Sequence, residues 1–143
     1  MALLLKGSEA AKSITAELMP RADRLRANGI TPCLAVVRVG EREDDIAYER
    51  GAVKRCGSIG IELRRVQLPA DVTEAALTDK IKELNRDNGV HGVLLLRPLP
   101  ADIDEKAVCE TLDPDKDVDG ITSGSLDSIY AGTGSGYAPC TAQ

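Results

Sequence analysis

The chain has 143 residues, enough for one domain with a buried core, and its 43% hydrophobic and 29% charged content is that of a folded globular protein. A net charge of −5 without any long basic run argues against duplex nucleic acid as a partner. An aromatic content of 2%, with no Phe or Trp, removes the stacking platforms that single-stranded nucleic acid needs and leaves a core of Leu, Val, Ile and Ala.

The elements alternate between helix and strand. Ser8 is placed to cap a first helix, with Ile14, Leu18, Ala22 and Leu25 near helical spacing, Pro20 bending or interrupting it and Asn28-Gly29 ending it. Leu34 to Val39 is a β-branched run and predicts a strand. A charged turn after Gly40 leads into a helix from about Asp44 to Ser58. Ile61 to Leu68 alternates as a second strand, closed by Pro69. Asp71 and Glu74 have capping-box spacing ahead of a helix carrying Leu77, Ile81 and Leu84, which Asn88-Gly89 stops. Val90 to Leu96 is the most apolar strand and is expected at the centre of the sheet, ended by Pro98 and Pro100. A short helix from about Asp104 to Leu112, an acidic loop and a helical stretch around Ser125 to Ala131 follow. From Gly132 onward the chain is rich in Gly, Ser, Thr and Pro and reads as a loop or linker. The alternation predicts an α/β domain with a mostly parallel sheet flanked by helices.

No apolar run approaches bilayer length, and Met1 to Lys6 lacks the basic start and apolar length of a signal peptide. Cys33, Cys56, Cys109 and Cys140 have no C-x-x-C spacing, and His91 is the only histidine, so a zinc cluster is not expected. The thiols read as reduced, in a cytoplasmic protein.

Three segments carry polar groups in suggestive patterns. Asp113-Pro114-Asp115-Lys116-Asp117-Val118-Asp119-Gly120 concentrates carboxylates around one lysine and, taken alone, reads as a solvated acidic loop. Tyr48 sits on the second helix, with Ala52 one turn further on the same face. Lys54 lies about 240° around that helix from Tyr48, whereas Arg55 returns to its face. Gly92-Val-Leu-Leu-Leu-Arg-Pro-Leu-Pro100 ends the apolar strand. Arg97 there is either an anion-attracting group or a solvated strand end. His91 reads as a surface residue, and Gly132-Thr-Gly-Ser-Gly136 lacks the preceding strand and following helix of a phosphate loop.

In this order and at these spacings, together with Pro139-Cys140-Thr141, the set resembles the folate-binding domain of the methylenetetrahydrofolate dehydrogenase/cyclohydrolase family, from Lys6-Gly7 to Thr141. The resemblance implies a three-layer α/β domain over residues 1–131 and, in 132–143, a linker towards an absent Rossmann domain. That absent domain would bind NADP, or NAD. It implies a tetrahydrofolate derivative as substrate, no nucleic acid or membrane partner, cytoplasmic one-carbon chemistry and, in the family, homodimers through the nucleotide domain.

Residue by residue, Tyr48 matches the tyrosine that packs on the folate ring at the catalytic centre. Pro98 and Leu99 match the substrate-binding strand end. Asp119 matches the aspartate that hydrogen-bonds the pterin, and Gly120 the glycine that lets backbone approach the ligand. The departures are as specific. The family's serine is Asp45, its catalytic lysine is Ala52 and the glutamine that holds that lysine is Leu96. Loss of lysine and glutamine together is coherent, because a buried amide without its partner costs free energy and leucine does not. Cyclohydrolase activity is therefore not expected. The alternatives are a dehydrogenase substrate domain, a diverged folate-binding or regulatory protein, and an enzyme using Arg97 or Arg55 for another anion.

Overall fold

The computed structural model of the chain describes residues 7–134 and 136–140. Met1 to Lys6, Ser135 of the glycine-rich stretch, and Thr141 of the Pro-Cys-Thr motif lie outside the described residues.

The described chain runs α1 (Gly7–Ala27), β1 (Cys33–Val39), α2 (Glu43–Ile59), β2 (Glu62–Leu68), α3 (Glu74–Arg86), β3 (Gly92–Leu95), α4 (Glu105–Cys109), a 3-10 turn at Pro114–Lys116 and α5 (Ser123–Ala131). The strands form a parallel sheet in the order β2–β1–β3. Cys33 pairs with Glu62 on one side, and Leu34 with Gly92 on the other. Strand alternation then divides β1 between two faces. Cys33, Ala35, Val37 and Val39 join Val93 and Leu95 in a core closed by Leu77, Ile81 and Leu84 of α3 and Val108 of α4. Leu34, Val36 and Arg38 point to the opposite face, towards α2, with α1 packed behind it. The sheet thus lies between two helical layers, as the sequence predicts.

Several local expectations change. β1, not the apolar β3, is the central strand. β3 is nevertheless buried on both faces apart from a half-exposed Leu94, because the acidic segment covers its outer edge through a parallel bridge between Val93 and Asp117. Cover of an edge by a distant loop makes an edge strand read like a central one. α1 continues through Pro20, and Ser8 lies inside it rather than at a cap. Proline removes one helical hydrogen bond, but Pro20 faces solvent, where water can take that partner's place. The α3 cap is Thr73, whose hydroxyl accepts from Ala76 N at 3.2 Å, and not Asp71. α4 closes by Cys109, and part of the acidic loop is a 3-10 turn.

The α1 end follows the sequence. Gly29 adopts φ +78°, and Ile30 N bonds back to Leu25 O.

Candidate functional site

α2 carries two kinds of inward side chain. Asp45, Glu49, Cys56 and Ile59 are buried against the sheet. One flank of the helix, however, stands away from the sheet and leaves an open cleft of about 440 Å³. Tyr48, Ala52 and Arg55 line it from the helix, and Leu34 and Leu94 from β1 and β3. Tyr48 stands at the rim with 58% of its surface exposed, and Ala52 is half-buried. The i, i+4 pair thus shares one cleft, and Lys54 is not part of its lining. Arg55 is there, with its Nη1 donating to Thr15 Oγ1 of α1 at 3.2 Å.

The floor is nearly devoid of acid–base groups. A guanidinium stays protonated and works as a poor proton carrier. Burial pushes the Cys56 thiol above its ordinary value, away from thiolate chemistry. Leu34 and Cys56 continue into a neighbouring hollow of about 280 Å³ bounded by Gly92, His91 and Val118. His91 is exposed, and its Nδ1 accepts from Cys33 N at 3.2 Å, which makes it a strand-start fastener.

The remaining predicted residues lie around the end of β3. Leu96 is buried on the face of Leu94, and its N donates to Val37 O at 2.9 Å. Pro98 is exposed, and its carbonyl accepts from Arg42 Nη1 at 3.3 Å. Leu99 turns into the core on the α3 side, so its side chain is structural, and its N donates to Glu105 Oε2 at 2.8 Å. Asp119 lies 3.7 Å from Arg97 Nη2, and Arg97 Nη1 is 3.7 Å from Glu105 Oε1. Arg97 is therefore held between two carboxylates. Gly120 has φ +65°, and a Cβ there would meet Tyr137 O at 2.6 Å and Pro139 N at 2.7 Å. Its close approach in this structure is to the chain's own later segment.

Most of the acidic segment is wired into the fold. Asp113 caps the 3-10 turn through Asp115 N at 3.0 Å. Lys116 Nζ donates to Leu84 O and Asp87 O at 2.9 and 2.8 Å, closing the C-terminus of α3. Asp117 is fully buried and accepts from Ile121 N, Thr122 N, Thr122 Oγ1 and Ser125 Oγ. Burial alone would raise its carboxyl pKa. The backbone donors Thr122 and Ile121 and the two hydroxyls outweigh that and hold it below the ordinary value. Within the segment, Asp119 keeps a half-exposed carboxylate beside the end of β3.

Sequence reasoning missed a buried polar network on the α2 face. Glu49 accepts from Arg38 Nε, and from Gln67 Nε2 at 3.2 Å, and pairs with Arg65 Nε at 3.2 Å. Arg38 also donates to Gly40 O. The available signal was an arginine inside an otherwise apolar strand. A second concavity, of about 450 Å³, lies beside Arg38 and Gln67 at the ends of β1 and β2. Its Arg38 and Gln67 are already paired with Glu49, which makes it the weaker candidate. Asp45, which stands where the family has serine, is buried and lies 4.0 Å from Arg42 Nε.

An open apolar cleft along one helix of an α/β domain is the common form of a small-molecule site. The profile of the tetrahydrofolate dehydrogenase/cyclohydrolase catalytic domain matches residues 5–119. The chain is 37% identical over 141 residues to the bifunctional protein FolD of Clostridium kluyveri, covering 99% of this chain and 50% of that protein. It is 42% identical over 140 residues to FolD of Geobacillus thermodenitrificans, covering 98% and 49%. Among solved structures, the bifunctional enzyme FolD of Campylobacter jejuni superposes with a TM-score of 0.93 at 34% identity, over 97% of this chain and 49% of that one. The Trypanosoma brucei dehydrogenase-cyclohydrolase, complexed with NADP cofactor and inhibitor, gives 0.90 at 30% identity over 99% and 48%. This chain belongs to the tetrahydrofolate dehydrogenase/cyclohydrolase family. It spans about half the length of the relatives it matches.

The Gly132–Gly136 stretch follows α5 and not a strand, and a dinucleotide turn needs a strand before it and a helix after it. No helix among the described residues is long and apolar enough to cross a membrane.

Proposed function

We propose that this chain is the folate-binding half of a methylenetetrahydrofolate dehydrogenase/cyclohydrolase that retains substrate binding for oxidation and has lost hydrolysis. The cleft observation carries this reading. Tyr48 is presented over an apolar floor in which Ala52 stands one helical turn away and no lysine lines the wall. Tyr48 would pack on the pterin, Asp119 would accept from its amino and ring N–H groups, and the strand end at Pro98 and Leu99 would border it.

The two reactions ask different things of this half. Oxidation of the methylene bridge removes a hydride, so the protein supplies position more than proton transfer. Hydrolysis of the methenyl bridge adds water, which must lose a proton before the carbon–nitrogen bond opens and nitrogen regains one. A protonated guanidinium and a thiol pushed up by burial serve that poorly. The nicotinamide cofactor, NADP or NAD, would be held by a nucleotide-binding half, and homodimers would form through that half. The setting would be cytoplasmic, with neither nucleic acid nor membrane as partner. A second reading, a folate-binding or regulatory protein without catalysis, is favoured by the same two replacements at Ala52 and Leu96.

Calorimetric titration with methenyltetrahydrofolate, with its spectral decay followed against buffer, tests the proposal. Saturable binding without faster decay is expected, and decay should accelerate in Ala52→Lys/Leu96→Gln. Faster decay in the parent would refute the lost hydrolysis, and absence of binding would refute the folate site. NADP-dependent oxidation by the chain mixed with a relative's nucleotide-binding half would exclude the non-catalytic reading.

A further inference from the structure

We infer that Arg97 is a specificity-determining residue that reads the carbonyl at ring position 4 of the pterin beside Asp119; the inference rests on the folate reading above. A 2-amino-4-oxo pyrimidine edge presents an amino group, a ring N–H and a carbonyl in a row. A carboxylate pairs with the first two and is blind to the third. The third position needs a donor fixed alongside the carboxylate.

Arg97 is such a donor. Its Nη2 lies 3.7 Å from Asp119 Oδ2 and its Nη1 3.7 Å from Glu105 Oε1. These are ion-pair separations, too long for hydrogen bonds, so the fork is oriented without its N–H groups being consumed. Its supports are themselves fixed. Glu105 is held by Leu99 N through its other oxygen at 2.8 Å. Asp119 lies between the buried, fully bonded Asp117 and the left-handed turn at Gly120. Arg97 is 39% exposed, so a ligand can reach it. Acceptor and donor thus stand together as the complement of a donor–donor–acceptor edge. A site that hydrogen-bonds a substrate group discriminates against an analogue lacking it, because its own polar group is then left unmatched.

The test compares tetrahydrofolate with tetrahydroaminopterin, in which an amino group replaces the 4-carbonyl and the adjacent ring nitrogen loses its hydrogen. Affinities are measured by calorimetry on the parent chain and on Arg97→Leu, so that the change at Asp119 cancels in the double difference. Arg97→Leu should weaken tetrahydrofolate about tenfold, as for loss of one charge-assisted hydrogen bond at a partly exposed site. Tetrahydroaminopterin should weaken less than about twofold, or tighten, since a guanidinium facing an amino group is a mismatch of two donors. Arg97→Gln, which keeps an N–H donor, should fall between parent and leucine variant and guards against a folding defect in the latter. Equal effects on both ligands, or none, would overturn the role of Arg97 while leaving the folate site standing. Tighter binding of both by Arg97→Leu would also overturn it, by making Arg97 an occluding partner of Asp119. If the parent binds neither ligand, the folate reading fails and this inference falls with it.

Discussion

The acidic segment Asp113–Gly120 and the cleft beside Tyr48 treat polar groups in opposite ways. In the segment, Asp113, Lys116 and Asp117 are spent inside the protein, on a turn cap, a helix end and the start of α5. In the cleft, Tyr48 and Arg55 stand at the margin while Ala52, Leu34 and Leu94 form the wall. The segment with the strongest appearance of ligand chemistry is mostly scaffold, and the cleft proposed to hold the ligand carries few polar groups of its own. A dense polar motif can therefore serve the fold more than a ligand, and an apolar cleft can stay open with few polar groups in it.

The largest test of this contrast is Asp117→Asn. The amide cannot accept all four donors that converge on the carboxylate, and the site is fully buried. A loss of about 2–4 kcal/mol is expected, or a fall in Tm of about 6–12 °C. Because the folded carboxyl lies below its ordinary value, its stabilisation is complete above the unfolded pKa of about 3.9 and is lost as pH falls through the folded one. The parent should therefore lose stability below about pH 4, and the variant should lack that component. Thermal melts across that range check both points, and an unchanged melt would break the scaffold half of the comparison.

Next comes Lys116→Met, which keeps the aliphatic stem and removes the ammonium from Leu84 O and Asp87 O. A cost of about 1–2 kcal/mol is expected in denaturant unfolding, with ligand affinity unchanged. Tyr48→Ala should do the reverse. Its ring is mostly exposed, so stability should hardly move, whereas methenyltetrahydrofolate should bind about tenfold more weakly, close to 1.4 kcal/mol. If Tyr48→Ala cost stability and spared affinity, the cleft would be scaffold as well.

Much of this arrangement is legible in local patterns. Alternation of helix and strand, the apolar period of α3 and the Asn28-Gly29 stop are each written within a few residues and follow from backbone geometry alone. The i, i+4 relation of Tyr48 and Ala52 is likewise local, and the cleft realises it. What escapes is set by distant partners. β3 reads as central because its outer edge is covered by Asp117, which no property of Val90 to Leu96 announces. The cap of α3 is Thr73 and not the expected Asp71, a matter of which oxygen reaches Ala76 N. Arg97 beside Asp119 and Arg38 beside Glu49 are pairings that only the packed sheet creates.

The smallest expected effect is the sharpest probe of whether the cleft has room for a lysine. Ala52→Lys places a long side chain on a half-buried position facing an open hollow of about 440 Å³. The lysine stem can lie along the apolar wall of Leu34 and Leu94 while its ammonium reaches water past the exposed Tyr48. Helix propensity changes little between alanine and lysine. Stability should therefore shift by less than about 0.5 kcal/mol in denaturant unfolding. A large loss would mean that the surroundings of Ala52 have closed around alanine and that the missing ammonium can no longer be accommodated. A negligible one means that the space for a lysine persists, and that the proposed loss of hydrolysis would rest on the replaced side chains and not on a collapsed site.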